Sequence, residues 1–299
     1  MQYAMQIIMA FLMIAMIAIM LPRASVAANR IYEVLSMEVK ISDPKNPESF
    51  DENKKGLVEF KNVTFKYPGA NEAVLENISF TAKPGESTGS GKSTLINLIP
   101  RFYEVTDGKI EVDGVDIRNV NQHDLRDKIG LVPQKGLLFS GTIKSNLTYG
   151  APDAADEELE EVIKIAQAKE FIDQKEKRLD DPISQGGTNV SGGQKQRLAI
   201  ARAIAKKPEI FIFDDSFSAL DFKTDAKLRN ELNKMIEKTR STVLIVGQRI
   251  ASIMSANQII VLDEGKIVGK GTHDELMKNC KVYQEIAYSQ LSKEELGHE

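Results

Sequence analysis

The sequence has very little cysteine and histidine. Its 299 residues include one cysteine, Cys280, and three histidines, His123, His273 and His298. A single cysteine cannot form an internal disulfide, which suits a protein of a reducing compartment. The histidines are scattered without the spacing of metal ligands, so a zinc site is not expected.

An excess of positive charge is also missing. Lys and Arg total 39 against 43 Asp and Glu, which gives a formal net charge of -4. Without a basic surplus there is no electrostatic reason to expect nucleic acid as a partner. The length and the 42% content of hydrophobic residues are sufficient for one globular domain of ordinary or large size.

Charged residues are absent from a stretch near the beginning of the sequence. None occurs from Tyr3 to Leu21, which predicts a transmembrane helix within residues 1–30. The alternative is a secretory signal sequence, because residues 25–27 are small enough for a cleavage site, but no Lys or Arg precedes the apolar run. Arg23 and Arg30 follow the run closely, so the positive-inside rule predicts that the remainder is cytoplasmic.

An α/β domain is predicted after a linker. Residues 31–55 are polar, contain two prolines and carry charges of both signs, which is typical of a linker. We expect the domain proper over residues 56–299. Short apolar runs alternate with helical patterns and predict a mainly parallel sheet with both faces covered. These runs are 129–132, 210–213, 242–246 and 259–262.

Two further regions differ from this alternation. Residues 57–67 and 74–82 alternate apolar and polar side chains, as half-buried strands do. Within residues 110–117, Asp113-Gly114 between alternating runs is a β-hairpin signal. The pattern is helical almost throughout residues 139–207, which predicts a helical subdomain inserted into the α/β core.

Residues 83–94, KPGESTGSGKST, contain part of a phosphate-binding loop at the start of a helix. The alternative is a Gly/Ser turn that merely precedes a helix. In a phosphate loop, backbone N–H groups cradle phosphate oxygens, a lysine reaches the outer phosphates and a hydroxyl ligates magnesium. The residues predicted for these roles are Gly89, Ser90 and Gly91 for the backbone, Lys92 for the lysine and Ser93 for the hydroxyl.

Two more motifs follow in the sequence. The apolar run IFIFD ends in Asp214, which predicts a carboxylate at the sheet edge, facing bound magnesium. Residues 190–194, VSGGQ, form a glycine turn that opens a helix, where free N–H groups make another anion site. Each motif alone is common as an ordinary turn, but the ordered set of three is difficult to explain in that way.

This ordered set resembles the nucleotide-binding domain of ATP-binding cassette (ABC) transporters, specifically of exporter half-transporters, over essentially the whole chain. The resemblance implies a P-loop NTPase core with a mainly parallel sheet, an antiparallel β subdomain and an inserted α-helical subdomain, preceded by one transmembrane helix. It implies ATP and Mg²⁺ as cofactors and a second half-transporter subunit as partner. It also implies a place in the plasma membrane, with the nucleotide-binding domain in the cytoplasm, and leaves the transported substrate open.

The resemblance also assigns roles to individual residues. Tyr67 corresponds to the adenine-stacking aromatic, and Gln134 to the lid-loop glutamine that joins Ser93 and Asp214 at the magnesium. Asp221 corresponds to the dimer-contacting loop, and residues 191–194 to the signature. The implied nucleotide contacts are Tyr67, Ser87, Thr88, Gly89, Ser90, Gly91, Lys92, Ser93, Thr94, Gln134, Ser191, Gly192, Gly193 and Gln194.

Two positions depart from the catalytic pattern of the family. The family has a glutamate where this sequence has Asp215; the shorter side chain retracts the carboxylate by roughly 1.5 Å, which can cost on the order of a hundredfold in rate. The switch histidine is replaced by Gln248, which can hydrogen-bond a phosphate but cannot carry a positive charge. Both changes resemble the degenerate subunit of heterodimeric exporters, whose signature acts on the nucleotide of the partner.

The phosphate loop is also too short. The motif G-x-x-x-x-G-K-[ST] requires a glycine where Glu86 stands, and about six residues are missing between Glu86 and Ser87. We expect loss of a central strand, unless residues 78–82 slide inward to replace it, and a Glu86 carboxylate that repels bound phosphate.

The sequence therefore predicts an impaired nucleotide site in a fragment or an internally deleted product of a longer half-transporter. Alternatives are a non-catalytic dimerisation module that supplies only the signature, and a poorly folded product without function. A soluble cassette ATPase of DNA repair or translation would leave the apolar run from Tyr3 to Leu21 without a purpose.

Overall fold

The computed structural model describes residues 1–90 and 93–290 and divides into two units, Met1–Ser42 and Asp43–Glu299. The first unit contains helix α1 (Gln2–Leu35), whose residues are all exposed. The length and apolar composition of α1 make it a candidate membrane-spanning helix. At about 1.5 Å per residue, a helix of 34 residues is longer than the roughly 30 Å thickness of the hydrocarbon core of a membrane.

The second unit combines a four-stranded antiparallel sheet, a six-stranded mainly parallel sheet and a short two-stranded pair. Its strands are β1 (Val58–Phe65), β2 (Leu75–Ala82), β3 (Ser87–Ser90), β4 (Asp107–Val112), β5 (Val115–Asp116), β6 (Ile129–Val132), β7 (Gly141–Thr142), β8 (Pro182–Ile183), β9 (Ile210–Asp214), β10 (Thr242–Val246), β11 (Gln258–Asp263) and β12 (Lys266–Gly271). The sheet orders are β2-β1-β4-β5, β12-β11-β3-β10-β9-β6 and β7-β8.

Helices cover the six-stranded sheet and fill the inserted subdomain. They are α2 (Ser93–Asn97), α3 (Gln122–Asp127), α4 (Ile143–Leu147), α5 (Asp156–Ile165), α6 (Lys169–Asp173), α7 (Gly192–Ala205), α8 (Phe222–Thr239), α9 (His273–Asn279) and α10 (Lys281–Gln290). Helices α4 to α7 lie in the interval 139–207, where the sequence predicts a helical subdomain. The fold is thus the predicted α/β class with an antiparallel and a helical subdomain.

The antiparallel sheet follows from alternation and turn chemistry. In β1 the buried residues alternate with more exposed ones, as a strand with one buried face requires, except at a register shift between Phe60 and Val63. The β4–β5 hairpin turns at Asp113 and Gly114, whose φ angles of 51° and 80° are those of a type I′ turn. The predicted strands and the hairpin are confirmed.

The six-stranded sheet is buried on both faces, which explains its continuous apolar strands. In β9, Ile210 and Ile212 pack into the core shared with the antiparallel sheet. Phe211 and Phe213 pack on the other face, into the core of the helical subdomain. This sheet therefore holds the two subdomains together, and the carboxyl ends of its parallel strands meet at one edge.

The centre of the six-stranded sheet is occupied by β3, whose residues Ser87–Ser90 belong to the predicted phosphate loop. β3 pairs in parallel with β10 on one side and with β11 on the other. The expected loss of a central strand is therefore wrong, and so is the inward slide of residues 78–82, which remain paired with β1. If no strand lay between β10 and β11, backbone hydrogen-bonding groups of both strands would be unpaired in the interior, which is energetically costly. The nearest available segment therefore takes the central position.

The side chains of β3 are unusual for a central strand. Thr88 and Ser90 are each 3% exposed, and Ser90 Oγ is buried without a hydrogen-bond partner in the described structure. At Gly89, a Cβ atom would lie 2.8 Å from Cβ of Ile253, so only glycine fits. The position of β3 is thus determined by backbone pairing rather than by favourable side chains.

The predicted linker 31–55 is not uniform in the structure. Its first residues continue α1, whereas the part from Asp43 onward belongs to the second unit. The backbone N–H of Glu48 donates to Asn119 O at 2.7 Å, and the backbone N–H of Gln122 donates to Asp43 Oδ1 at 2.9 Å. These bonds hold the segment against the domain, and that of Gln122 lowers the pKa of the Asp43 carboxyl.

Candidate nucleotide site

The beginning of α2 and the end of β9 meet at the carboxyl edge of the six-stranded sheet. Ser93 Oγ donates a hydrogen bond to Asp214 Oδ1 at 2.5 Å. Burial raises the pKa of the Asp214 carboxyl, the bond from Ser93 opposes this, and the neighbouring charge of Asp215 raises it further. A hydroxyl and a carboxylate at this position are oxygen ligands of the kind that Mg²⁺ prefers. The residues present therefore fit a magnesium ion.

Asp215 lies next to this pair and is 8% exposed. Its side chain accepts a hydrogen bond from Gln134 Nε2 at 3.2 Å, and its backbone N–H donates to Val246 O at 2.8 Å. The φ angle of Asp215 is 44°, an uncommon conformation for a residue other than glycine. Ser93, Gln134, Asp214 and Asp215 thus form one group at the sheet edge.

Residues 87–90 of the predicted phosphate loop lie in strand β3. Gly89 and Ser90 pair with strands on both sides, and Ser90 O accepts a hydrogen bond from Gly247 N at 3.0 Å. This geometry does not fit phosphate contacts by Ser87, Thr88, Gly89 or Ser90. Gly91 and Lys92 lie outside the described residues.

Glu86 lies at the opposite end of β3 from α2. Its carbonyl accepts a hydrogen bond from Val243 N at 3.0 Å, in a turn at the amino edge of the sheet. The four residues of β3 span roughly 13 Å, at about 3.3 Å per residue, and separate Glu86 from the carboxyl edge where Asp214 lies. The expected repulsion between Glu86 and bound phosphate is therefore wrong, because β3 places the carboxylate at the other edge.

Tyr67 is hydrogen-bonded to the first turn of α2. Its hydroxyl shares a hydrogen bond of 3.1 Å with Thr94 Oγ1, and its ring packs edge-on against Phe65 and Tyr103. The ring centroids lie 4.8 Å and 5.2 Å away, respectively. Tyr67 is partly buried, and its adenine-stacking role stays a prediction.

The signature residues form a separate group at the beginning of α7. Ser191 and Gln194 make a capping box: Ser191 N donates to Gln194 Oε1 at 3.0 Å and Gln194 N donates to Ser191 Oγ at 3.3 Å. Ser191 and Gly192 are exposed, and Gly193 lies close to Ala219 O. No hydrogen bond joins this group to Asp214 or Asp215 within residues 1–90 and 93–290. The amino end of a 14-residue helix is thereby open to an anion.

The loop after β9 contacts this region and leads into α8. Asp221 caps α8 by accepting a hydrogen bond from Thr224 N at 3.0 Å, and its hydrogen bonds to Thr224 lower the pKa of the Asp221 carboxyl. Phe222, the first residue of α8, is 80% exposed. The loop thus presents a charged cap and an aromatic ring at the surface.

Gln248 is exposed after β10, and two residues that sequence reasoning missed hold its segment. Gln290 accepts from Ile250 N at 2.8 Å and donates to Gln248 O at 3.0 Å. Arg229 makes a two-pronged ion pair with Asp225 and donates to Ala251 O at 2.8 Å. The i,i+4 spacing of Asp225 and Arg229 is a sequence signal for the first contact, whereas nothing local indicates Gln290.

The fold and these motifs define an ABC-type ATP-binding domain. Residues 75–218 match the family described as ABC transporter, so the chain contains an ATP-binding domain of that family. It is 47% identical over 304 residues to an ABC transporter ATP-binding protein of Mycobacterium tuberculosis, covering 99% of this chain and 52% of the relative. It is 43% identical over 246 residues to a beta-(1→2)glucan export ATP-binding/permease protein of Rhodopseudomonas palustris, covering 80% of this chain and 41% of the relative.

A solved structure is similar as well. A bacterial Atm1-family ABC exporter with ATP bound matches with a TM-score of 0.82 at 29% identity, covering 91% of this chain and 48% of that chain. The chain spans about half the length of the curated relatives it matches, for example 52% and 41% of the two above. These similarities support an ABC-type ATP-binding domain in this chain.

Proposed function

We propose that this chain works as the degenerate-site subunit of a heterodimeric ABC exporter. It supplies its signature to the nucleotide of a second half-transporter, in the plasma membrane, with its own nucleotide-binding domain in the cytoplasm. The observation that carries the proposal is the use of Ser87–Ser90 as the central strand β3. Closure of the dimer around nucleotide would then drive the membrane domains between two states.

The weakness of the chain's own site follows from the length of its loop. A phosphate loop needs a run of roughly five residues between strand and helix, so that several backbone N–H groups can point at the phosphates. Here β3 ends at Ser90 and α2 begins at Ser93, which leaves two residues in the sequence between them. Asp215, whose side chain is shorter than that of glutamate, and Gln248, which cannot carry a positive charge, weaken the same site further.

The rest of the nucleotide machinery favours an active role in a dimer over an unfolded product. Ser93 and Asp214 keep a contact that suits magnesium, which would neutralise phosphate charge. The amino end of α7 is capped and exposed, so it can approach a nucleotide bound to another subunit. The capping box already satisfies the Gln194 N–H, whereas the Ser191 hydroxyl hydrogen remains free to donate to a phosphate.

Titration of Mg²⁺-ATP into the full chain in detergent micelles, followed by calorimetry, tests the proposal. We expect binding at least tenfold weaker than in a variant with a strand-forming hexapeptide ending in glycine inserted between Glu86 and Ser87. The insertion would supply a new central strand and release Ser87–Ser90 into a loop. Lys92→Ala in the insertion variant is the control and should abolish its binding.

The outcomes separate the alternatives. Tight binding by the unmodified chain that is lost in Lys92→Ala would contradict the degenerate site. Weak binding that the insertion restores supports it. A chain that fails to bind ATP with or without the insertion, although it unfolds cooperatively, favours a dimerisation module that contributes only the signature. Broad, non-cooperative unfolding would indicate a product without function.

A further inference from the structure

A cavity of about 730 Å³ opens at the amino edge of the six-stranded sheet, away from the candidate nucleotide site. The turn at Pro84, Glu209 just before β9 and Ser241 just after α8 lie around it. Asp214 and Ser93 belong to the opposite, carboxyl edge. The volume lies within the roughly 300–1,000 Å³ range of small-molecule sites.

The inner wall of the cavity is apolar. Val162, Ile204 and Phe211 are each less than 9% exposed, yet they line it. Ile165 and Met235 are partly buried and complete the apolar surface. A methionine side chain adapts its shape to what it contacts, so this wall suits a bulky hydrocarbon group.

The outer wall is charged, and most of its charges are paired within the protein. Glu158 pairs with Lys207 at 2.6 Å, and Glu231 pairs with Lys234 at 2.8 Å. Glu209 is held by two lysines. These pairs leave little net charge to attract a ligand.

Three charged side chains of the wall have no ion pair among residues 1–90 and 93–290. Two are cations near the end of α8, Lys238 and Arg240, and one is a carboxylate on α5, Glu161. Both cations are exposed, so they can turn toward an anion at the mouth of the cavity. The unpaired charge therefore favours an anionic group over a cationic one.

We propose that this cavity binds a small amphipathic organic anion, with its apolar body against Phe211 and Met235 and its anionic group at Lys238 and Arg240. The walls come from α5 of the helical subdomain and from α8 and β9 of the core. A bound ligand therefore joins the two parts. The cavity is concave with an apolar floor, which suits a small molecule rather than the flat surface of a protein partner.

Calorimetric titration of 2-naphthoate into the full chain in lipid nanodiscs, with empty nanodiscs subtracted, tests the proposal. We expect saturable binding at one site per chain and a concentration-dependent rise in the midpoint of thermal unfolding. The neutral 2-naphthylmethanol and the cationic 2-naphthylmethylammonium have the same apolar body. Both should bind on the order of tenfold more weakly, or not at all, because they lack the charge-assisted contact.

Two variants localise the site. Lys238→Gln combined with Arg240→Asn should weaken naphthoate binding by about tenfold; asparagine tolerates the left-handed conformation of Arg240, whose φ is 56°. Ile165→Trp fills the cavity and should abolish binding. Lys227→Gln, an exposed position of α8 outside the cavity, is the matched control and should leave binding unchanged.

Several results would overturn the inference. Absence of saturable naphthoate binding by a chain that unfolds cooperatively would do so, as would equal affinity for the anion and the cation. Equal effects of the Lys227→Gln control and the Lys238→Gln/Arg240→Asn variant would show that binding occurs elsewhere. None of these readouts involves ATP, so they are independent of the nucleotide site.

Discussion

Lys128 Nζ lies 2.9 Å from Asp113 Oδ2, and this ion pair joins the antiparallel hairpin to the six-stranded sheet. Asp113 is 1% exposed and also accepts a hydrogen bond from Gly56 N at 2.6 Å. Lys128 contacts Glu209 at 2.7 Å. Burial alone would lower the pKa of Lys128, but its hydrogen bonds to Glu209 and Asp113 outweigh burial and raise it.

Removal of the cation should be strongly destabilising. Lys128→Met leaves the buried Asp113 carboxylate without its ion-pair partner and leaves Glu209 with Lys55 alone, and we expect a loss of about 3–5 kcal/mol in the free energy of unfolding. Chemical denaturation of the full chain in micelles measures it. Lys266→Met removes an exposed pair with Glu76 and should cost less than about 1 kcal/mol. Equal losses in both variants would contradict the role of the buried pair.

The same variant should respond to pH. Burial raises the pKa of the Asp113 carboxyl, and the hydrogen bond from Lys128 opposes this. An acid whose pKa is raised on folding stabilises the folded state below its unfolded pKa, and this contribution is lost as the pH rises through the folded pKa. Without Lys128 the pKa rises further, so the deficit of Lys128→Met relative to the unmodified chain should shrink between pH 7 and pH 5. A deficit independent of pH would contradict this.

Gly89 should tolerate no side chain. Gly89→Ala places a methyl group 2.8 Å from Ile253 Cβ, and overpacking of this kind costs about 1–3 kcal/mol. Thermal unfolding of the full chain measures the loss. Gly192→Ala, where no atom beyond the neighbouring residues and the nearby backbone of α7 lies within 4 Å of the added carbon, is the control with little expected change. A neutral Gly89→Ala would mean that β3 does not pack as described.

Two substitutions of Ser191 distinguish the effect of its capping hydrogen bond on the stability of α7 from the effect of charge. Ser191→Ala removes the capping bond to Gln194 N and should cost about 1 kcal/mol. Ser191→Asp keeps a capping acceptor and adds a negative charge that the helix dipole favours, so we expect unfolding close to that of the unmodified chain. Thermal unfolding in parallel compares the two. A larger loss in Ser191→Asp than in Ser191→Ala would contradict the capping role.

Arg229 should control the mobility of the segment that carries Gln248. Arg229→Lys cannot form the two-pronged pair with Asp225 together with the bond to Ala251 O. We expect amide hydrogen exchange of residues 250–253 to accelerate by about tenfold. Arg249→Lys, at an exposed position of the same segment, is the control. Unchanged exchange in Arg229→Lys would show that the segment is held without Arg229.

Tyr283 should remain neutral in alkaline solution. Burial raises its pKa to about 12, and its hydroxyl shares a hydrogen bond of 2.9 Å with His273 Nδ1. Because folding raises the pKa of Tyr283, its neutral hydroxyl stabilises the folded state fully below the unfolded pKa of about 10. This contribution to the free energy of unfolding is lost as the pH rises toward 12. Denaturation at pH 9 and pH 11.5 should show this loss, and Tyr283→Phe should show less of it. Equal losses would contradict the assignment.

Much of the fold could be predicted because side-chain pattern and position agree. The runs 129–132 and 242–246 became β6 and β10 without change, since β-branched and apolar residues suit a sheet buried on both faces. The contact between Ser93 and Asp214 also follows from the motifs, whereas the nucleotide roles of these residues stay predictions.

Other features depend on contacts that no local pattern contains. Ser87–Ser90 consist of serine, threonine and glycine, a composition with weak strand character overall, and became a strand because of its neighbours. The contacts of Gln290 with Gln248 and Ile250 span at least 40 positions. Such contacts arise from tertiary packing, and a single sequence offers no signal for them.

The use of Ser87–Ser90 as β3 also shows how the central position of this sheet is filled. The segment next to α2 takes the central position, although its composition is typical of a loop. If the phosphate loop is shortened as we propose, the sheet remains complete and only the nucleotide site is weakened. Unfolding measurements alone would then not reveal a loss of nucleotide binding.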